Sequence, residues 1–267
     1  MRNNIHSTAI IDSSAEIAEN VKIGPYAIIG KNVKIASGVE IFSQAYLENC
    51  EIGENTIISC GAVIGTAPQD LGYKGEFTKV VVGKNCQIRE HATINRASGE
   101  GNVTKIGDDC MLMTGAHIAH NCQLGNGVIL ANLATLGGHV IVEDYAFLGG
   151  MVIAHQNVKI GEMSIIGGFS ATRQDIPPYC KTDDRLARVI GLNAIGLKRR
   201  GLSLEERSNL KKAFDFIWFS RLNTTQAIEK IKAELPLNKY VEHLIEFIVT
   251  SKRGVTKRAI KQELEID

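Results

Sequence analysis

The chain has 267 residues, a hydrophobic share of 44% and nearly balanced charge, with 30 Lys and Arg against 29 Asp and Glu. This composition is typical of a folded protein in water and argues against disorder and against a nucleic-acid binder, which would carry excess positive charge. The first ten residues lack the apolar region of a signal peptide, and no run approaches the ~20 apolar residues of a transmembrane helix. We therefore expect a cytoplasmic protein without an integral membrane segment.

An aliphatic residue recurs at every sixth position through the first two thirds of the chain. The series starts at Ile5, Ile11 and Ile17 and, after two interruptions, runs on to Ile166. A small side chain usually stands two residues earlier, and glycine often follows directly. A mainly β fold, the parallel β-helix, explains this period: each unit forms one short strand and one corner, and coils stack at ~4.8 Å. In this interpretation the aliphatic and small residues fill the interior, and the glycines relax the backbone at corners.

Two segments break the repeat, at residues 66–79 and 96–104. In the first, Asp70 and Glu76 occupy positions that the register assigns to the core, so this segment must bulge outward. Insertions in solenoids gather on one face and often form the binding site, although the second segment fits a plain surface loop equally well. The repeat ends near Pro177 and Pro178, which cannot donate to a ladder.

The remaining chain has a helical pattern. Ser203-Leu-Glu-Glu206 is a capping box that begins an amphipathic helix, and two further helices are predicted at 227–235 and 239–251. We therefore predict a β-helical domain at 1–184, a C-terminal α-helical domain at 185–254 and a loose, charged tail at 255–267. Four of the six cysteines fall in the small inward column, where a thiol acts as apolar filler. These are Cys50, Cys86, Cys110 and Cys122. The sequence contains no CxxC pair, so a metal site built on cysteine is not expected.

A stripe of histidines is the strongest candidate for chemistry. If three six-residue sides make a coil of about 18 residues, then His120, His139 and His155 lie within one position of a common line on successive coils. His117 and Gln156 lie beside them. Imidazole has an ordinary pKa near ~6.5 and can accept a proton from a hydroxyl at neutral pH, so the stripe predicts a general base. The alternative is that these histidines only decorate the outer wall.

Several segments together resemble the UDP-N-acetylglucosamine O-acyltransferase family, in order and over roughly residues 5 to 254. They are Pro68-Gln-Asp-Leu71, Ala116-His-Ile-Ala-His120, Ile129-Leu-Ala-Asn132, Gly149-Gly150, His155-Gln156, Asp175-Ile-Pro-Pro-Tyr179 and Gly196-Leu-Lys-Arg-Arg-Gly201. The resemblance implies a left-handed β-helix, a homotrimer and no cofactor or metal. It also implies transfer of a 3-hydroxyacyl chain from acyl carrier protein to the 3-hydroxyl of UDP-N-acetylglucosamine, the first step of lipid A synthesis.

The resemblance also implies roles for individual residues. His120 would be the general base, and the backbone N–H of Gly138 would stabilise the oxyanion. Gly168 would leave room for a long acyl chain, or it is simply a corner glycine. Positions implied to bind the substrates are Asp70, His117, His139, His155, Gln156, Asn193, Arg199 and Arg200, with Lys74 as a further candidate near the sugar.

Three departures from the family pattern leave the acceptor open. Asn121 replaces an aspartate beside the base, Gly72 replaces a lysine, and Ile195 replaces an acidic residue. A 3-amino UDP-sugar is therefore a second candidate acceptor, because an amine is the better nucleophile. The sequence is also compatible with another hexapeptide-repeat sugar acyltransferase, with a non-catalytic solenoid, and with a hydratase that binds zinc between subunits, as in carbonic anhydrases with this repeat.

Overall fold

The computed structural model describes residues 3–258. Within that range the short strands form three sheets, with 11, 9 and 8 strands, that make the sides of a triangular prism. Strands in successive coils pair in parallel, as in Ile5 with Ile23, except that the last two strands of the first sheet pair antiparallel. This arrangement is the parallel β-helix that the six-residue period predicts.

Every third strand along the prism belongs to the same sheet. The first sheet contains Asn4–Ile5, Lys22–Ile23, Glu40–Ile41, Ile57–Ile58, Gln87–Ile88, Met111–Leu112, Ile129–Leu130, Phe147–Leu148, Ile165–Ile166, Cys180–Asp183 and Arg188–Leu192. The second contains Ile10–Ile11, Ile28–Ile29, Tyr46–Leu47, Val63–Thr66, Thr93–Asn95, His117–Ile118, Thr135–Leu136, Ile153–Ala154 and Ala171–Thr172. The third contains Glu16–Ile17, Val33–Ile35, Cys50–Ile52, Lys79–Val82, Val103–Ile106, Gln123–Leu124, Ile141–Val142 and Lys159–Ile160.

Both predicted inward columns are buried from the second coil upward. Ile29, Ile64 and Ile118 of the aliphatic column and Ala27 and Ala62 of the small column are each 0% exposed. The four cysteines of the small column are buried free thiols, which confirms their role as filler. The core is thus a continuous and mostly apolar rod, in which each coil is covered by the coils above and below it and a few small hydroxyl side chains such as Thr56 and Ser164 are buried.

The role predicted for the glycines after the aliphatic column is wrong. Positive φ angles fall instead three residues after the aliphatic position, for example at Asn121 (60°) and His139 (60°). Apart from Gly65, the glycines that directly follow the aliphatic residue keep negative or extended φ. A Cβ on Gly53 would lie 2.5 Å from the carbonyl carbon of Gly83 in the next coil. These glycines therefore permit coils to approach closely, and asparagine, histidine and other residues make the corners.

The two excursions lie between strands at residues 67–78 and 96–102 and project from the same edge of the prism. They bind each other: the Thr78 hydroxyl donates to the Ala97 carbonyl at 2.6 Å, and the Arg96 guanidinium donates to the Tyr73 hydroxyl at 3.0 Å. The outward bulge is confirmed, and both insertions reach the edge that carries His120.

Four helices follow the prism within the described residues: α1 (Ala194–Arg199), α2 (Leu204–Trp218), α3 (Thr224–Glu234) and α4 (Lys239–Thr250). The capping box at α2 is formed as predicted, by Ser203 and Glu206. The strand Arg188–Leu192 continues the first sheet, so the segment beyond residue 184 starts with a strand and not with a helix. None of the helices in residues 3–258 is long and apolar enough to cross a bilayer.

The start of the tail is packed, contrary to expectation. Thr256 is only 2% exposed, its carbonyl accepts a hydrogen bond from the Trp218 indole at 3.1 Å, and Val255 bridges to Asp175. Residues 255–258 therefore seal the top of the prism. The rest of the predicted tail, residues 259–267, lies outside the described range.

The close approach of coils predicts a specific stability effect. Gly53→Ala should destabilise the protein by about 2–3 kcal/mol, because the added methyl meets backbone that cannot move without separating two coils. Gly191→Ala is the matched control, since nothing lies within 4 Å of its Cβ position. Denaturant unfolding of both variants tests this, and equal midpoints would contradict it.

Candidate active site

The histidines lie at the edge between the second and third sheets, which we call the histidine edge. It consists of the turn positions His120, Gly138 and Gln156 and of the neighbouring His139 and His155. The strands below these turns are in register, His117 pairing with Thr135 and Thr135 with Ile153. The three turn positions consequently stack on successive coils, as the period of about 18 residues predicts.

The His120 imidazole is oriented by Asn121. Its Nδ1 lies 2.9 Å from the Asn121 amide oxygen. That oxygen also accepts the backbone N–H of Ser98 at 2.9 Å, while the amide nitrogen donates to the Ser98 carbonyl at 3.0 Å. The two Ser98 bonds determine which amide atom faces the ring, so Nδ1 carries the proton and Nε2 keeps its lone pair. A neutral amide thus selects the tautomer required of a base.

Gly138 lies directly opposite the basic nitrogen. A Cβ at this position would be 2.5 Å from His120 Nε2, so no larger residue fits without displacing the ring. At some other corners of the prism a side chain caps the equivalent backbone N–H, as the Asn126 amide oxygen does for Asp108 at 2.9 Å. Within residues 3–258 the Gly138 N–H donates to no acceptor. Gly138 is buried against the His120 ring, so this N–H is an unpaired donor next to Nε2.

Asp70 and His139 complete the polar cluster around His120. The rings of His120 and His139 meet edge to face, with centroids 5.2 Å apart. The Gly72 N–H, 2.9 Å from the Asp70 carboxylate, and the Ser98 hydroxyl keep the pKa of Asp70 below its usual value, assisted by the two histidines. Partial burial and the neighbouring His120 lower the pKa of His139. Near neutral pH the cluster therefore combines an anionic carboxylate with a neutral His139.

The remaining predicted sugar-binding residues differ in how closely they join this cluster. His117 lies in the strand below His120, with Nδ1 2.7 Å from the Thr93 hydroxyl, and burial lowers its pKa. Lys74 is exposed in the first excursion, and within residues 3–258 its ammonium makes no hydrogen bond to the histidine edge.

Two positions mark the upper end of the histidine edge. His155 and Gln156 are exposed, and an Arg253 guanidinium nitrogen lies 3.4 Å from His155 Nδ1. The edge therefore extends upward from His120 to the segment that follows α4.

Asn193, Arg199 and Arg200 lie on a different edge, between the third and first sheets, which we call the arginine edge. They line a pocket of about 340 Å³ together with Tyr145 and Met163. The Arg200 guanidinium stacks on the Tyr145 ring at 3.7 Å from its centroid, a geometry that fixes the orientation of its donors.

Asn193 has a structural role in this pocket. Its amide nitrogen donates to the Met163 carbonyl at 2.8 Å and its amide oxygen caps Gly196 at the start of α1. Within one chain, therefore, the structure brings these three residues together but does not place them with the histidines. The exposed Ile195 follows Asn193 by two positions.

Gly168 lies on the third edge, between the first and second sheets, which we call the apolar edge. Its Cβ position is 3.2 Å from the carbonyl of Gly150 in the coil below, so two glycines leave a strip without side chains. Leu133, Met151 and Phe169 stand exposed along this edge, at 48%, 43% and 75%. The outer face of the second sheet connects this apolar strip with His120.

The sequence did not identify several residues of the site. Ser98 holds Asn121 and lies 3.5 Å from His120, Thr93 contacts His117, and Tyr145 supports Arg200. Because Ser98 belongs to an irregular excursion, no period relates it to position 121. Among residues 3–258 no three His, Cys, Asp or Glu side chains converge as metal ligands would.

The prism of six-residue coils places this chain among the hexapeptide-repeat proteins. The family model for the bacterial transferase hexapeptide (six repeats) matches residues 104–138, and the GMPPB C-terminal domain model matches residues 5–98. The model for UDP-N-acetylglucosamine O-acyltransferase, domain 2, matches residues 175–256.

Full-length comparisons identify the family. The acyl-[acyl-carrier-protein]–UDP-N-acetylglucosamine O-acyltransferase of Thermodesulfovibrio yellowstonii is 49% identical, covering 96% of this chain and 100% of the relative. The Chlamydia abortus protein of the same name is 46% identical, covering 98% of this chain and 95% of the relative. The LpxA structure from Acinetobacter baumannii superposes with a TM-score of 0.91 at 40% identity, over 95% of this chain and 99% of that one. The chain belongs to the UDP-N-acetylglucosamine O-acyltransferase family, and its prism is a left-handed parallel β-helix.

The Asn121–His120 contact predicts a tautomer effect. Asn121→Leu should lower kcat for acyl transfer by roughly 10- to 100-fold, because His120 loses the acceptor that holds its proton on Nδ1. Asn121→Asp should retain or raise kcat, since a carboxylate also accepts that proton. Asn85→Leu is the control, because Asn85 has a similar φ of 55° on another edge. Equal losses in both leucine variants would indicate backbone strain instead.

Proposed function

We propose that this protein transfers an (R)-3-hydroxyacyl chain from acyl carrier protein to the 3-hydroxyl of UDP-N-acetylglucosamine, the first step of lipid A synthesis. The relatives described above bear the name of this activity and match nearly the whole chain. One observation carries the proposal: His120 Nε2, which keeps its lone pair, lies next to the backbone N–H of Gly138, which donates to no acceptor within residues 3–258. A general base beside an oxyanion donor is an arrangement that favours acyl transfer.

In the proposed reaction, His120 Nε2 removes the proton of the sugar 3-hydroxyl as its oxygen attacks the thioester carbonyl. The Gly138 N–H stabilises the negative charge that develops on the carbonyl oxygen. When the C–S bond breaks, the imidazolium returns the proton to the leaving thiolate. The acyl group passes directly to the sugar, and neither a covalent acyl-enzyme nor a cofactor takes part.

The charges around His120 support this direction of proton transfer. The Asp70 carboxylate, with its lowered pKa, faces the two rings and stabilises the imidazolium. Neutral His139 and His117 can donate to or accept from sugar hydroxyls without competing for the proton. Lys74 and Gln156 belong to the same proposal as further contacts to the sugar nucleotide.

A homotrimer would unite the separate edges. The pocket with Tyr145 and Met163 lies at the level of the coils that carry His155 and Gln156. Rotation about a three-fold axis parallel to the prism preserves this height and brings different edges of neighbouring subunits together. Arg199 and Arg200 of one subunit could then bind the diphosphate, for which guanidinium groups offer fixed, forked donors.

The apolar edge supplies a path for the acyl chain. The Gly150 and Gly168 strip is flanked by Met151 and Phe169 and is continuous with the second sheet, whose outer face leads to His120. An open strip of this kind favours a long chain over a short one. The expectation of a cytoplasmic enzyme stays a prediction.

A 3-amino UDP-sugar is the second candidate acceptor, and the observation that favours it is the neutral Asn121. An amide stabilises the imidazolium less than a carboxylate would, and an amine demands less of a base. Incubating the protein with UDP-N-acetylglucosamine, its 3-amino analogue and a set of 3-hydroxyacyl carrier proteins distinguishes the two through the product mass. The same assay tests other sugar acyltransferase activities, and metal analysis of purified protein tests for a zinc hydratase.

His120→Ala and His120→Gln should each reduce acyl transfer by about 10³-fold or more, because both remove the base. Neither should unfold the protein, since the side chain lies outside the core. Product formation by mass spectrometry and sedimentation of the variants measure the two effects, and both variants should sediment as the trimer.

The control is His6→Gln, which removes an exposed histidine of the first coil, far below the proposed acyl path, and should leave activity unchanged. A folded His120→Ala variant with normal turnover would refute the assignment and support a non-catalytic solenoid. Sedimentation of the wild type as a monomer would contradict a site shared between subunits.

Gly168 should set the acyl length. Gly168→Met should shift preference toward chains several carbons shorter, because its side chain would block the strip above Gly150. Gly168→Ala should give a smaller shift in the same direction. Relative kcat/KM over a series of 3-hydroxyacyl carrier proteins checks this, and an unchanged preference in both variants would show that the chain does not pass Gly168.

A further inference from the structure

A half-buried polar network joins helix α4 to the prism, away from the histidine edge. His243 of α4 places Nε2 3.1 Å from the Glu143 carboxylate and Nδ1 2.7 Å from the Tyr179 hydroxyl. The Tyr179 hydroxyl in turn lies 2.9 Å from Oε2 of Glu162. We call His243, Glu143, Glu162 and Tyr179 the α4 clamp.

The hydrogen bonds of the α4 clamp require a particular protonation state. Tyr179 can donate only one proton, and Glu162 as a carboxylate can only accept. If Tyr179 donates to Glu162, Nδ1 of His243 must itself donate to the tyrosine oxygen. Nε2 must donate to Glu143. All three contacts are therefore satisfied together only by a doubly protonated imidazolium.

The surrounding charges agree with that state. The hydrogen bond with Glu143 raises the pKa of His243, with further contributions from the charges of Glu143 and Glu162 that outweigh burial and nearby Lys159. Burial acts to raise the pKa of Glu143, but His243 and Lys159 reverse the effect and lower it. Burial raises the pKa of Tyr179, so its hydroxyl remains neutral.

Two aromatic rings of α4 and one lysine of the prism border the clamp. Tyr240 packs against Tyr179 with ring centroids 5.7 Å apart, and Phe247 lies against His243 at 6.5 Å. The Lys159 ammonium is 3.0 Å from Glu143 and 4.6 Å from the Phe247 ring centroid. Within residues 3–258, the charged groups that face His243 are thus Glu143, Glu162 and Lys159.

The clamp is connected by short links to the pocket on the arginine edge. The Tyr179 carbonyl accepts the backbone N–H of Asn193 at 2.8 Å, and the Tyr179 N–H donates to the Glu162 carbonyl at 2.7 Å. Met163, next to Glu162, accepts the Asn193 amide at 2.8 Å and lines the pocket. Movement of Tyr179 or Glu162 would therefore displace Asn193 and the start of α1, which carries Arg199.

We propose that His243 is a positioning residue that, through Tyr179 and Glu162, holds the segment from Asn193 to Arg200 against the prism and so sets the affinity for the sugar nucleotide. This inference rests on the proposed function, in which that segment binds the nucleotide diphosphate. His243 is remote from the histidine edge, so it acts on nucleotide binding and not on the acyl-transfer step.

The pH dependence follows from the raised pKa. The pKa of His243 in the folded protein exceeds the ordinary histidine value of ~6.5. Below ~6.5 His243 is therefore protonated and holds the segment from Asn193 to Arg200 fully, and this hold is lost as pH rises through the raised pKa. The KM for the sugar nucleotide should accordingly increase with pH above ~6.5. The diphosphate diester itself does not titrate in this range, and the pKa values of His117 and His139 are shifted the opposite way.

The test is steady-state kinetics of the full-length wild type, His243→Gln and Glu143→Gln between about pH 6 and about pH 9. At the lower pH both variants should show about five- to tenfold higher KM for UDP-N-acetylglucosamine, with kcat and the KM for the acyl carrier protein within about twofold of the wild type. The rise of this KM with pH should be lost in His243→Gln. His6→Gln, which removes an exposed histidine of the first coil, should follow the wild-type profile.

The outcomes separate this inference from the function on which it rests. A merely structural role would lower the thermal midpoint and change the KM of both substrates together, without abolishing the pH dependence of one, and would overturn the inference. Normal wild-type turnover with an unchanged nucleotide KM in His243→Gln would also overturn it and leave the proposed function intact. Absence of both turnover and calorimetric binding of UDP-N-acetylglucosamine by the wild type would overturn both.

Discussion

The parallel ladder between coils is the constraint on which the rest of the structure depends. Each strand pairs with the one a coil above, as His117 does with Thr135, so a residue's place in the six-residue unit determines its edge and its height. Inward positions must be small or aliphatic, because the prism has no other space, and the polar side chains there, such as Thr56, Thr104 and Ser164, are small. The outward turn positions are free of this requirement, and functional side chains can occupy them without cost to the core.

The histidine edge shows how little the regular scaffold must change to create chemistry. The turn that holds Asn121 in a left-handed conformation recurs at nearly every corner, and so does a backbone N–H that no ladder uses. At Gly138 that N–H has no partner within residues 3–258, and one coil below it the Asn121 amide orients the His120 imidazole beside it. The unpaired N–H that recurs at the turns of the β-helix is thus a candidate oxyanion site at Gly138, because His120 lies beside it.

Polar networks outside the repeat determine how individual side chains of the site are oriented. Ser98, from an excursion, fixes the Asn121 amide, and the α4 clamp ties the helical domain to the segment that contains Asn193. Both networks are partly buried, where an unpaired polar group is costly, and each is satisfied by contacts distant in sequence. The regular prism sets the heights and edges, and these networks set the orientation of individual side chains.

The sequence alone predicted the repeat, the inward columns, the two excursions, the capping box of α2 and the alignment of His120 with Gly138 and Gln156. The repeat and the alignment could be predicted because a strict period relates the number of a residue directly to its place on the prism. The sequence was misleading about the role of the glycines after the aliphatic column. Glycine is selected both where two backbones approach closely and where φ is positive, so the residue type does not show which of the two applies. Only the tertiary structure revealed Ser98 beside Asn121, His243 beside Tyr179, and the separation of Arg199 and Arg200 from the histidines. These contacts join segments that no period relates, and their geometry depends on how irregular loops and helices pack against the prism.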